Sequence, residues 1–331
     1  MRYLSALDLE ALVAPAMLVA AIERALRDFA QGQVTVPARQ HFDCGDKIVL
    51  SMPVIGATAF GAKLVSVVPG NASRGLPVTN GLMMLSDGQS GQPLAVLNAA
   101  ALTALRTGAV GALALDLIAP ASVDRVGIIG TGVQGTWQAI FACAVRPITT
   151  VYFVARSEHS AQRFVDAVAR RVPAVKLVRC KGAAELLDAC PVVIAATTSA
   201  DPVLPNEPSL LEGKHYLSIG SFRPAMQELP DKVYELAGCI VVDSDAARHE
   251  AGDLINPLAA GVLHEANVYH LAQLITGTRS VDVRSTTVFK SVGMALYDLY
   301  AASALVAEAQ RVGRGTVLES DQRSGGPSRR T

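Results

Sequence analysis

The chain has 331 residues, enough for about two domains that each bury a core. Half of its residues are hydrophobic and 18% are charged, a balance that excludes a disordered chain and suits a globular protein with buried strands. Its 29 basic and 29 acidic side chains cancel, so no global field draws it to nucleic acid or to an anionic membrane, and a small-molecule partner is expected.

The first predicted element is an amphipathic helix that Pro15 can open, with Ile22, Leu26 and Phe29 on one face. The uncharged residues 11–22 are too few to span a bilayer and follow Asp8 and Glu10 rather than a basic segment, so a cytoplasmic location is expected. Between 34 and 97 the pattern changes to short apolar runs at 47–52, 62–68 and 81–85, broken by Pro69-Gly70-Asn71, Asp87-Gly88 and Gly91, which predicts strands and turns. A small-residue helix follows over 102–118 and stops before Pro120. Beyond it, strand-like runs at 126–129, 151–154, 192–196, 216–219 and 240–242 alternate with helical stretches, the pattern of a parallel α/β sheet. Residues 292–312 form one long predicted helix, and the polar, Gly/Ser/Arg-rich residues 319–331 a tail expected to be disordered. The five cysteines are odd in number and contain no Cys-x-x-Cys pair, so reduced, mostly buried thiols are expected.

Gly130-Thr131-Gly132-Val133-Gln134-Gly135 follows an apolar strand and opens a helix. Alone it would be a plain glycine-rich turn. Between those elements it has the mechanism of a dinucleotide loop: a tight turn, a close approach for pyrophosphate, a close helix–strand contact and a helix N-terminus facing the phosphates. Where an NAD enzyme carries an acidic residue at the end of the second strand, this chain has Ala155, then Arg156 and Ser157. A guanidinium and a hydroxyl there favour NADPH over NADH, unless Arg156 is only a solvated surface charge.

Three cations of the first half lie in apolar or small-residue settings: Arg39 after Val36-Pro37-Ala38, Lys63 within Phe60-Gly61-Ala62-Lys63-Leu64-Val65, and Arg106 in Leu105-Arg106-Thr107-Gly108. Burying such charges is expensive unless an anion meets them, so together they suggest a carboxylate pocket. Singly, each is more often exposed or structurally paired. Asp243 and Asp245 lack further ligands nearby and are expected to cap helices or meet solvent, so no metal is expected. Trp137 is expected to pack in the core rather than to stack on a cofactor.

The Leu105-Arg106-Thr107-Gly108-Ala109-Val110 stretch, the 130–135 loop, and Val288-Phe289-Lys290-Ser291-Val292-Gly293 with Asp298 together resemble the ornithine cyclodeaminase and mu-crystallin family, in matching order from Arg39 to about Leu299. The resemblance implies an α/β fold in which a Rossmann domain, residues 119–294, is inserted into a smaller α+β substrate and dimerisation domain made of residues 1–118 and 295–320, with 321–331 as a disordered tail. It implies a homodimer. It also implies that Arg39, Lys63 and Arg106 bind the substrate carboxylate, that Thr107 and the loop residues Thr197, Thr198 and Ser199 approach the cofactor, and that Val292 lines the nicotinamide. With Gly130, Thr131, Gly132, Val133, Gln134, Arg156 and Ser157, these complete the expected cofactor site.

Two departures from the family's cyclodeaminases matter: Phe222 stands where they carry an aspartate, and Ser51 where they carry a glutamate, leaving a pocket poorly suited to a diamino acid. The Gly220-Ser221-Phe222-Arg223-Pro224 form is instead similar to the family's cyclic ketimine reductases. The expected reaction is therefore reduction of pyrroline-2-carboxylate or piperideine-2-carboxylate to L-proline or L-pipecolate by NADPH (NADH being the other option), with Lys63 or solvent supplying the proton. Reductive amination of a 2-oxo acid, ornithine cyclisation, and a non-catalytic binding role like that of mu-crystallin remain the alternatives.

Overall fold

The computed structural model describes residues 1–319, so the tail expected over 321–331 lies outside the described residues. Two sheets organise the chain. The first is mixed, with Thr316–Val317, Arg2–Leu4, Pro93–Asn98, Thr79–Asp87, Ala59–Val67, Lys47–Gly56 and Val34–Thr35 side by side in that order, and Gln40–Cys44 paired onto Lys47–Gly56. Its strands alternate in the expected way: Met52, Val54, Val65, Met83 and Leu85 are buried, whereas Ile55, Leu64, Leu82 and Met84 are exposed. The register places Lys63 opposite both Met52 and Met83, so a lysine stands in the middle of the buried face.

Three helices pack on that side, Ala99–Ile118 and Ala295–Arg311 against the central strands and Pro15–Ala30 chiefly against those two helices. Pro15–Ala30 has Pro15 in its first turn and buries Leu18, Ile22 and Leu26. Ala99–Ile118 is capped by Asn98, whose side chain accepts the Ala101 N–H. It is long and apolar enough to cross a membrane, but 78% of its apolar window is buried inside the protein. Ala295–Arg311 returns from the second sheet to pack on both of these helices. This last helix was expected from residue 292 and begins at Ala295. The Val292 and Gly293 N–H groups bond the Asp243 carboxylate at 3.1 and 2.8 Å, and Gly293 has φ +78°, so neither residue continues a right-handed helix.

The second sheet is wholly parallel, ordered Lys176–Arg179, Thr150–Val154, Arg125–Ile129, Val192–Ala195, His215–Ser218, Thr286–Lys290, Ala237–Val242, Val268–His270. From Arg125–Ile129 the chain first builds outward through Thr150–Val154, then crosses to Val192–Ala195 on the other side. This reversal opens a crevice at the carboxyl ends of two adjacent strands, where α/β sheets bind ligands. The five cysteines are free thiols, three of them buried, and burial pushes Cys190 up to about 12.

Candidate active site

Gly130 ends the Arg125–Ile129 strand with φ +101°, and a side chain there would stand 2.5 Å from the Ala196 carbonyl. Gly135 lies so close to the same turn that a Cβ would fall 1.9 Å from the Gly130 carbonyl oxygen. The helix Val133–Val145 starts at Gly132 with no side chain capping it, so its first N–H groups are free to meet an anion. In front of it lies a cleft of about 640 Å³ lined by Gly130, Thr131, Gly132, Arg156, Thr197, Thr198 and Ser199, all expected cofactor residues, together with Ser160 and Arg163.

The other expected cofactor residues stand outside that lining. Val133 is exposed in the first helical turn and Gln134 beside it has a buried side-chain oxygen without a hydrogen-bond partner among the described residues. Thr107 is buried in the Ala99–Ile118 helix, where its carbonyl accepts from Gln138. Ser157 spends its hydroxyl on capping the helix Glu158–Arg171 by accepting the Ser160 N–H. Val292 follows the Thr286–Lys290 strand. Ser160 and Arg163, one turn apart on that capped helix, were not singled out from the sequence, although their spacing from Ser157 turns them to the strand end that carries Arg156.

The three cations converge. Lys63 Nζ lies 2.7 Å from Asp298 Oδ2 and 3.2 Å from the Thr103 hydroxyl, while Arg106 Nε lies 3.1 Å from Asp298 Oδ1. Asp298 is wholly buried in the first turn of Ala295–Arg311. Arg39 donates to the Gly293 carbonyl at 2.6 Å and sits 3.4 Å from Glu250. The Arg106 guanidinium is pressed against Gly293, where a Cβ would come within 2.6 Å of both terminal nitrogens. The anion that explains the burial of Lys63 and Arg106 is thus partly internal. Yet three cations face only two carboxylates, and the terminal nitrogens of Arg106 have no protein partner among the described residues. Burial lowers Lys63 from 10.5 to about 8; Asp298 opposes that shift and Arg106 adds to it.

Asp243 was expected to cap a helix or meet solvent and does neither. It has no exposed surface, and its carboxylate accepts from Ser291 Oγ at 2.6 Å as well as from the Val292 and Gly293 N–H groups, fixing the turn that Arg39 and Arg106 touch. Trp137 is buried against Phe141 with Arg171 over its ring. The cation cluster, held on Gly293, therefore sits at the same carboxyl edge of the parallel sheet as Gly130 and Thr197.

The profile of the ornithine cyclodeaminase/mu-crystallin family matches residues 2–312. The chain belongs to this family. A Bacillus cereus Delta(1)-pyrroline-2-carboxylate reductase is 36% identical over 306 residues, covering 89% of this chain and 92% of that protein. The Thermococcus litoralis Delta(1)-pyrroline-2-carboxylate reductase, solved in complex with NADH and L-proline, superposes with a TM-score of 0.89 at 30% identity, covering 96% of this chain and all of that one. An archaeal alanine dehydrogenase dimer with bound NAD gives 0.86 at 27% identity, over 96% of this chain and 99% of that one.

Proposed function

We propose that the protein reduces the C=N bond of a cyclic imino acid, pyrroline-2-carboxylate or piperideine-2-carboxylate, to L-proline or L-pipecolate with NADPH. The observation that carries this is a buried cluster with more cations than carboxylates, at the sheet edge that also carries the glycine loop. The names of the Bacillus and Thermococcus relatives support the same reaction. Gly130, Thr131, Gly132, Val133 and Gln134 would hold the dinucleotide phosphates, with Thr107, Thr197, Thr198, Ser199 and Val292 around the rest of the cofactor, which supplies a hydride when bound. Arg39, Lys63 and Arg106 hold the substrate carboxylate and so fix the imine carbon, and Lys63 donates the proton that the ring nitrogen takes up. With Arg156, Ser160 and Arg163 lining the cleft beside Ala155, and Ser157 capping the helix that carries two of them, a 2′-phosphate is attracted rather than repelled.

The test is NADPH oxidation followed by absorbance with each cyclic imine, with NADH and with pyruvate plus ammonia in parallel. Turnover of an imine is expected, faster with NADPH, and the double variant Arg156→Ala/Arg163→Ala should lose about tenfold in preference for NADPH while keeping the NADH rate. Turnover of pyruvate plus ammonia alone would transfer the site to 2-oxo acid amination, the reaction of the alanine dehydrogenase relative.

The lowered pKa of Lys63 sets a pH dependence. Below about 8 the amine is charged, can pair with the substrate carboxylate and carries a proton to give. As pH rises through about 8 the site loses both, so kcat/KM falls by about tenfold per pH unit on that limb, which reports the free enzyme. Lys63→Arg does not titrate there and should lack that limb. The same fall in both proteins would assign it to the substrate.

The working unit in this reading is a homodimer. Ile55, Leu64, Leu82 and Met84 leave an apolar stripe on the uncovered face of the mixed sheet, suited to a second copy, and the archaeal relative is a dimer. A solution mass of one 34.6 kDa chain would overturn it.

A further inference from the structure

The strand Thr286–Lys290 ends in a lysine with no exposed surface, set among two equally buried carboxylates, Glu228 and Asp253, that the reaction above does not use. Lys290 Nζ lies 2.8 Å from Ser218 Oγ and 3.3 Å from Asp253 Oδ2. Ser218 Oγ in turn is 2.7 Å from Asp253 Oδ2 and 3.0 Å from Glu228 Oε2. Asp253 Oδ1 accepts the N–H groups of Glu228 and Leu229 at 2.9 and 3.0 Å, which fixes the backbone that carries Glu228.

From there Glu228 reaches into two loops. Its Oε1 accepts the Thr197 N–H at 2.6 Å and the Thr197 hydroxyl at 2.9 Å; its Oε2 accepts the N–H groups of Gly220 and Ser221 at 2.7 and 3.2 Å. These residues follow the neighbouring strands Val192–Ala195 and His215–Ser218, where the backbone has left the sheet and its donors need other partners. The loops are stacked: a Cβ on Gly220 would fall 1.8 Å from the Thr197 carbonyl, and one on Gly130 2.5 Å from that of Ala196. A shift in either loop is therefore passed to the phosphate loop. Two carboxylates and one ammonium withdrawn from water are also an expensive arrangement, easily replaced by apolar packing if stability were their sole use.

We infer that Glu228 is the positioning residue of the dinucleotide cleft: oriented by Asp253 and countered by Lys290, its carboxylate sets the loops at 197–199 and 220–222 against the Gly130 turn. This rests on the cleft being a dinucleotide site and is independent of which substrate is reduced.

Glu228→Gln keeps the shape but has one acceptor oxygen, so its amide must face the donors of one loop and release it. The dissociation constant for NADPH, read by energy transfer from Trp137 to the bound nicotinamide, should rise about tenfold, equivalent to about 1.4 kcal/mol. The KM for the dinucleotide should rise with it while the KM for the carboxylate substrate changes by less than about twofold. A lowered Tm with unchanged dinucleotide affinity would make Glu228 a stability residue and overturn the inference. If Glu228→Gln does not fold, Ser218→Ala removes the hydroxyl that links Lys290 to Glu228. It should weaken NADPH binding by about threefold, and no change there overturns the inference equally. Failure of every imine in the wild-type assay leaves the affinity measurement intact, whereas a wild-type protein that binds neither NADPH nor NADH sinks both readings.

Discussion

Arg106→Leu should yield a folded protein whose kcat/KM for the cyclic imine is about a hundred- to a thousand-fold lower, with its NADPH affinity unchanged. The fold survives because of the charge count. Removing Arg106 leaves Lys63 and Asp298 as a one-to-one buried pair at 2.7 Å, so no carboxylate is stranded. Catalysis does not survive, because the terminal nitrogens of Arg106, which have no protein hydrogen bond among the described residues, are the donors that this reading gives to the ligand carboxylate. Arg39 can add a contact to the carboxylate but cannot replace the Arg106 fork, since its Nη2 holds the Gly293 carbonyl and its Nε faces Glu250. Truncating one partner of a desolvated, hydrogen-bonded charge pair costs about 2–5 kcal/mol, and the anchor acts in both the bound state and the transition state. Arg106→Lys restores charge without the fork and should recover only part of the loss. Steady-state kinetics with the two variants, beside a dinucleotide titration, give the answer. Wild-type kcat/KM in Arg106→Leu would remove the carboxylate pocket from the reading.

The parallel sheet was legible where its strands are buried on both faces and contain only apolar residues, as at Val192–Ala195. Thr286–Lys290 escaped because three of its five residues are polar. Each is satisfied by a distant partner: Thr287 by the Ile118 carbonyl, Lys290 by Ser218 and Asp253, and Thr286 by the Gly213 N–H. Tertiary contacts override local pattern there. In the site, Lys63 stood out as a cation among the apolar and small residues Phe60-Gly61-Ala62 and Leu64-Val65, and the structure turns it to the buried face. Asp298, its ion partner, belonged to a recognised motif yet had no role, since nothing in local spacing joins a residue to another 235 positions away. Asp243 was misplaced for a related reason. A carboxylate at a strand end does usually meet water, and this one is covered by the turn it holds.

Asp298→Ala should be the most destabilising of the changes considered, because it removes the one carboxylate that serves two buried cations. Lys63 and Arg106 are 3% and 5% exposed, and breaking a buried pair from one side typically costs about 3–5 kcal/mol. Arg106 has no escape, since guanidinium stays charged. Lys63 does: its pKa is already lowered to about 8, and loss of Asp298, which raises it, drives it lower still. The folded variant can therefore shed the Lys63 proton at neutral pH, which relieves part of the cost. The sign of the linkage follows. A lysine whose folded pKa lies below its unfolded 10.5 binds more protons unfolded, so stability rises with pH between the two values. In the variant this window opens at lower pH, so the deficit relative to wild type should be largest in mild acid and shrink as pH rises toward the wild-type value near 8. Denaturant unfolding of both proteins across that range measures it. A deficit constant with pH would mean that Lys63 keeps its proton without Asp298, and that Arg106 alone bears the loss.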